Sequence, residues 1–402
     1  MTDGPAPPGL AAGPGLAASA VPAARRGPAS VVVTGAAVLS AYGRGTEALL
    51  SGALSGRPAF APVQRFDVSA RRNRFAATMP GSPELRTEVT RAVREACDDA
   101  GLSPSDRARS PLFLAIHGDP AIPRAPEAGR PGLGPEAFTA AVAGRCGLAE
   151  QGIRCYMSAC VAASTAIADA AAIIARGYQD RIVVAGGYLV DCDQFALFDA
   201  GRVLADDGQV RPFSAGRRGM LLGDGVGAVV VESQESARAR RAPPLARVAG
   251  WGRAGDAYHP CQPHPEGHGM ARAITAALQR AGIAAEDLGY LNAHGSGTAQ
   301  SDPAETNALR LALGDAVATV PVSSTKSLHG QALEASGVLE LIVTLLAARK
   351  GMLPVNAGFL GADDRCGLSL VLGEARAATA EFAMSLNAAF GGANTALVIG
   401  LP

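Results

Sequence analysis

Short apolar runs recur along this chain, the first of them ending in a glycine, and stretches fit for helices lie between them. The first is Val31-Val32-Val33-Thr34-Gly35, and others stand at residues 112–116, 182–187 and 227–232. A brief β-branched run bounded by glycine reads as a strand buried on both faces. Helical stretches fall at 85–101 and 161–178, so strand and helix alternate and the fold class is α/β. An Arg- and Pro-rich join at 236–244 ends this series, and a second begins at Ala246-Arg247-Val248-Ala249-Gly250. It continues through a helix at 270–281 and the run Tyr290-Leu291-Asn292-Ala293-His294, and closes on a Val- and Ile-rich strand at 395–399. Each series opens on a small strand ending in glycine and closes on a β-branched one, which points to duplication. The halves are read as 29–240 and 241–402.

Composition narrows the function classes. With 402 residues, 48% of them hydrophobic, the chain can bury a large core. Thirty-six basic residues balance thirty-six acidic ones, so no global field selects nucleic acid or an anionic membrane, and a charged partner must meet a local patch. Seven scattered cysteines without a C-x-x-C pair argue against a disulfide framework and a thiolate zinc site, and fit a reducing cytoplasm. Residues 1–28, rich in Ala, Pro and Gly, lack the basic and apolar regions of a signal peptide and read as a disordered lead. No apolar run reaches the ~18 residues a membrane span requires, so a soluble protein is expected. Nothing calls for a cofactor.

One cysteine has a chemical setting. The segment Cys155-Tyr156-Met157-Ser158-Ala159-Cys160-Val161-Ala162-Ala163-Ser164 leads from a short strand into a small-residue helix, placing Cys160 at a helix N-terminus. Unpaired amides and the helix dipole there favour a thiolate, and the alanines leave room for an acyl group. Taken alone, the same cysteine reads more readily as a buried core thiol; distant motifs reverse that order.

Those motifs are Met157-Ser158-Ala159-Cys160, Asn292-Ala293-His294-Gly295-Ser296-Gly297-Thr298, Ser324-Thr325-Lys326-Ser327-Leu328-His329-Gly330 and Asn387-Ala388-Ala389-Phe390-Gly391-Gly392. Together they resemble the β-ketoacyl synthases of the type II, elongating kind, over residues 31–402. The resemblance implies a thiolase-like fold of two pseudo-symmetric βαβαβαββ halves in five αβαβα layers, usually in a dimer. It implies that Cys160 takes an acyl chain from a carrier protein and condenses it with a decarboxylated malonyl thioester, in fatty acid or polyketide biosynthesis. It assigns His294 as a donor to the malonyl carbonyl through Nε2, and Lys326 with Glu340 as electrostatic support. Phe390 becomes the gate whose backbone N–H joins that of Cys160 as an oxyanion hole, Gly391 and Gly392 let its loop bend, and Asp302 and Glu305 brace the histidine loop.

Two features stand outside that pattern. The family sequence Lys-Ser-x-x-Gly-His becomes Lys326-Ser327-Leu328-His329-Gly330-Gln331 here, so a glutamine replaces the second catalytic histidine. Glutamine shuttles no proton, yet its amide N–H still donates to a carbonyl or enolate oxygen. Three readings remain open: a condensing enzyme, an acyltransferase passing the Cys160 acyl group to an amine, alcohol or thiol, and a non-catalytic chain-length-factor-like subunit of a heterodimer. His329 turning inward as the missing histidine is a further option. Ser214, Tyr188 and Gln194 also depart from the family, the latter two with a bearing on the acyl tunnel or the dimer contact. The second feature is His259, Cys261, His264 and His268, whose spacing suggests zinc; three nearby prolines read instead as a stiff loop, and no metal is expected. For an acidic carrier protein the basic candidates are Arg65, Arg71, Arg72, Arg74 and Arg202.

Overall fold

The computed structural model describes residues 29–118 and 134–402; the lead at 1–28 lies outside them. In the first half the strands along the main path of the sheet are β1 (Val31–Ser40), β2 (Leu112–Ala115), β3 (Arg154–Tyr156), β4 (Arg181–Tyr188) and β5 (Gly225–Ser233). The second half supplies β6 (Ala246–Gly255), β7 (Leu288–Asn292), β8 (Val322–Ser323), β9 (Phe382–Ala389) and β10 (Ala393–Gly400). The principal helices are α1 (Leu85–Asp99), α2 (Ala162–Ala175), α3 (His268–Ala281), α4 (Ser301–Leu313) and α5 (Ser336–Lys350).

These ten strands form one path, β3-β2-β4-β5-β1-β6-β10-β9-β7-β8. Read from either rim inward, the order is third, second, fourth, fifth, first strand of that half. The directions match as well. β3, β2 and β4 run parallel, as do β8, β7 and β9, while the two innermost pairings of each half are antiparallel. β1 joins β6 antiparallel through Val32 opposite Arg247 and Val33 opposite Ala246. The duplication suggested by the opening and closing strands is therefore visible in the topology.

Strand alternation sends side chains to two faces. Phe113 and Ala115 of β2 and Ile182 and Val184 of β4 enter the central core, with Ile167 of α2 and Val338 and Ile342 of α5. Leu112, Leu114, Val183 and Ala185 face outward onto Val89, Val93 and Ala96 of α1. In the second half Met384, Leu386, Ala396 and Val398 meet Met270, Ala273 and Ile274 of α3. The layers are thus helix, sheet, helix, sheet, helix, a thiolase-like fold. α2 and α5 are buried along most of their length because both halves of the sheet cover them. They cross closely: a Cβ at Gly337 would stand 2.4 Å from Ser164 N. Only glycine fits there.

Candidate active site

Cys160 sits where the chain leaves β3, turns through Ala159 at a φ of +49°, makes one 3₁₀ turn at Ala159–Val161 and enters α2. Few alanines hold that conformation, and here it brings the thiol to the head of a helix, as the sequence suggests. The thiol is buried. Burial pushes its pKa up to about 12 and Glu334 adds to this, while Lys326 and a hydrogen bond with the Gln331 side chain pull it down. Burial thus opposes the thiolate that the helix start favours. Helix-start amides act when charge develops on the sulfur.

His294 follows β7. Its Nδ1 accepts the backbone N–H of Ala388 at 3.2 Å, which places the ring proton on Nε2. Burial and the nearby Lys326 ammonium hold its pKa well below the ordinary value, so the ring is neutral and presents an N–H donor. The loop is fixed from α4: Glu305 Oε1 and Oε2 accept the amides of His294 and Gly295, each at 2.7 Å. Asp302 accepts those of Phe213 at 2.8 Å and Gly297 at 3.0 Å. Burial raises the pKa of Glu305 to about 8 and of Asp302 to about 6, against the pull of these amides.

Lys326 Nζ lies 2.6 Å from Glu340 Oε1, both fully buried. Glu340 Oε2 accepts from Asn387 Nδ2, also at 2.6 Å. Asn387 belongs to the fourth motif, so this ion pair ties that segment to α5.

Gln331 is held in one orientation. Ser336 Oγ, which accepts the Ala332 amide at 3.1 Å, donates to Gln331 Oε1 at 3.0 Å. With its oxygen occupied, the amide turns its NH₂ group toward the site. His329 takes no part in the cavity wall: Nδ1 meets Gly330 O at 2.9 Å and Nε2 meets Thr325 Oγ1 at 3.0 Å, so both nitrogens are engaged in the core. The option of an inward-turning His329 falls.

These groups border a cavity of about 400 Å³ with Cys160, His294 and Gln331 in its wall and Phe198, Phe390 and Arg202 around it. Phe390, 47% exposed, stacks on Phe198 at 6.0 Å between ring centroids. Sequence reading missed Phe198 and Ser336, since neither lies in a motif. Gly391 and Gly392 have φ of +83° and +74°, as the bend requires. Gly391 gives its N–H to Pro260 O at 2.6 Å, so it serves as a bend and not as an oxyanion donor.

Pro260 begins the histidine-rich loop, of which Cys261 and Pro263 also line the cavity. Among the described residues, only His264 and His268 of that set bring their ligand atoms together, with Glu266 between them, all within 4.8 Å of one another. They are bonded among themselves: His264 Nδ1 accepts the Glu266 amide at 3.2 Å, and His268 Nε2 meets Glu266 Oε2 at 2.8 Å.

The basic cluster divides. Arg65 is half-buried, paired with Asp224 at 2.7 Å and bonded to Val190 O and Met79 O, so its guanidinium is engaged inside the fold and not at a docking surface. Arg71, Arg72, Arg74 and Arg202 are exposed, Arg72 within 3.8 Å of Asp206 and Arg74 bonded to Ser69 O. Arg202, at a φ of +55°, alone among these borders the cavity.

Residues 82–237 match the description of the β-ketoacyl synthase N-terminal domain and residues 245–360 that of its C-terminal domain, together more than half of the chain. The chain belongs to the β-ketoacyl synthase family. The 3-oxoacyl-[acyl-carrier-protein] synthase 2 of Staphylococcus aureus is 38% identical over 248 residues, 60% of this chain and 61% of that relative. The match thus spans about three fifths of the curated relatives' length. Among solved structures, the ishigamide ketosynthase/chain length factor has a TM-score of 0.86 at 29% identity, covering 94% of this β-ketoacyl synthase-family chain and 100% of the other. A type II polyketide acyl carrier protein in complex with its ketosynthase, bound to the hexaketide, gives 0.82 at 25% identity, covering 93% and 100%. No helix among the described residues is long and apolar enough to cross a membrane.

Proposed function

We propose that the chain is a condensing enzyme that loads an acyl group on Cys160 and extends it with a malonyl unit. The observation that carries this reading is the pair of N–H donors, His294 Nε2 and the Gln331 amide, on the wall of the cavity that Cys160 borders. In the first step a bond forms between Cys160 Sγ and the acyl carbon, the carrier's thioester bond breaks, and the thiol proton leaves with the carrier thiol. In the second the malonyl carboxylate departs as carbon dioxide, and its electron pair becomes an enolate whose oxygen the two donors stabilise. The enolate carbon attacks the Cys160 thioester, the backbone N–H groups of Cys160 and Phe390 hold the oxyanion, and collapse breaks the C–S bond to expel the Cys160 thiolate, which takes a proton from solvent to return to the thiol.

Decarboxylation requires no proton from the side chain at 331, so a neutral amide serves where a histidine is more usual. The thioesters come on an acyl carrier protein, as in the complexed structural relative, docking at Arg202 with Arg71, Arg72 and Arg74 beyond it. The partner chain is a second copy or a sister ketosynthase subunit. The test mixes the protein with an acyl carrier thioester and malonyl carrier protein and weighs Cys160 and both carriers by mass spectrometry. A carrier product longer by two carbons is expected. Acylation of Cys160 without that gain assigns plain acyl transfer, and no acylation at all assigns a silent subunit.

A further inference from the structure

Glu334 occupies in the second half the position that Cys160 occupies in the first. Ala159 at +49° opens the turn Ala159–Val161 ahead of α2, and Leu333 at +41° opens the turn Leu333–Ala335 ahead of α5. Cys160 and Glu334 are each the second residue of their turn, and the two turns pack against one another. A leucine held at positive φ is strained, and such strain persists where the surrounding structure enforces it for a purpose.

The Glu334 carboxyl is 3% exposed. Its Oε1 lies 3.4 Å from His117 Nδ1, and its Oε2 has no hydrogen-bond partner among the described residues. Tyr188, at the end of β4, is in the same condition: 4% exposed, with an unpartnered hydroxyl. Gly186 shows which way this strand end faces, because a Cβ there would stand 3.0 Å from Ala335 Cα and 3.3 Å from Ala163 Cβ. Tyr188, two residues on, shares that face, toward both turns and in the same core cluster as Cys160. A carboxylate oxygen and a phenol buried without partners are costly, and the Glu334 charge stands near enough to act on both the Cys160 sulfur and the Tyr188 hydroxyl.

We propose that Glu334 and Tyr188 read the acyl chain carried on Cys160, and that the protein takes chains bearing a hydrogen-bond donor, an ammonium or a hydroxyl, in preference to plain alkyl chains. The inference rests on Cys160 as acyl acceptor and not on condensation. An ammonium pairs with the Glu334 carboxylate; a hydroxyl donates to that carboxylate and accepts from Tyr188.

The test uses the full chain and N-acetylcysteamine thioesters of propanoate, butanoate and pentanoate, each plain, with a terminal hydroxyl, or with a terminal amine. The rate of mass gain at Cys160 is read for each. At the length that fits, the donor-bearing chain should lead by at least about tenfold. Glu334→Leu should move the ratio toward the plain chain, Glu334→Gln should keep the hydroxyl and lose the amine, and Tyr188→Phe should weaken the hydroxyl preference. Plain chains leading at every length, a ratio unmoved in both Glu334→Leu and Tyr188→Phe, or no acylation by any thioester overturns the proposal. Should Glu334→Leu fail to fold, the wild-type ratios and Tyr188→Phe decide. Acylation without a donor preference sinks this inference and leaves condensation standing; a donor preference without two-carbon extension does the reverse.

Discussion

The turn that carries Cys160 and the turn that carries Glu334 are the same device in two settings. Each leads into a helix buried along most of its length and opens with a non-glycine residue at positive φ. The first turn packs on β9 and β10 of the other half and on the second turn, among apolar neighbours such as Val161, Ala162 and Ala163. Around the second stand Lys326, Gln331, Ser336 and Glu340, buried and polar. On the proposed function, one half supplies the atom that reacts, and the other supplies the charges and N–H donors arranged about it. A duplicated scaffold places the two sets face to face without either half having to host both.

If this division holds, Cys160→Ala should abolish acylation in intact-protein mass spectrometry while leaving the urea midpoint nearly unchanged. A large loss of stability would show that the thiol is a packing residue after all. The second half should respond the other way. Glu340→Leu strands Lys326 as a buried unpaired cation and should cost about 3–5 kcal/mol in urea unfolding, with Lys326→Met added in the same chain restoring most of it.

Acid should also act through the second half. The pKa of His329 falls from its ordinary 6.5 to about 4, because burial and Lys326 both disfavour the cation. The unfolded chain then binds the proton more tightly, so this stabilisation is complete above the ordinary value and fades as pH drops toward the folded one. The stability gap between wild type and His329→Gln should shrink by about 3 kcal/mol across that window. Glu305 and Asp302, raised in the fold, run in the opposite sense, but they are common to both proteins and cancel.

Ser336→Ala releases the Gln331 oxygen and lets the amide turn over. Condensation should drop about tenfold with Cys160 acylation unchanged, and Ser336→Thr should recover it. Equal loss in both steps would mean that Ser336 merely supports the fold. The smallest effect concerns the surface. Arg202→Glu with Arg72→Glu should slow transfer from a carrier protein several-fold and spare small thioesters, more so at low salt; loss on both substrates would remove the docking role.

Much of this was readable in the residues. β1, β4, β5 and β10 announce themselves by β-branched runs, and the four motifs lead to the residues around the cavity. β9 was not visible because Phe382-Ala383-Met384-Ser385-Leu386-Asn387-Ala388-Ala389 has almost no β-propensity, and its pairing with β7 and β10 makes it a strand. α5 escaped because a helix covered on every side loses its amphipathic period. Arg65 looked like one more surface charge, since its partner Asp224 is 159 residues away. Glu334, after Gln331-Ala332-Leu333, reads as solvated until the second half is laid over the first. His329 is two residues from the position it was asked to fill, but the αR turn at Lys326–His329 points it at Thr325.

The crossing of Gly337 over Ser164 acts as a caliper. The spacing of the turn that carries Cys160 from the turn that carries Glu334 is set by two helix backbones in contact, independently of the loops at the cavity mouth. By the same measure, a single methyl group added at that crossing would detune the chemistry from the inside, with every residue that performs it still in place.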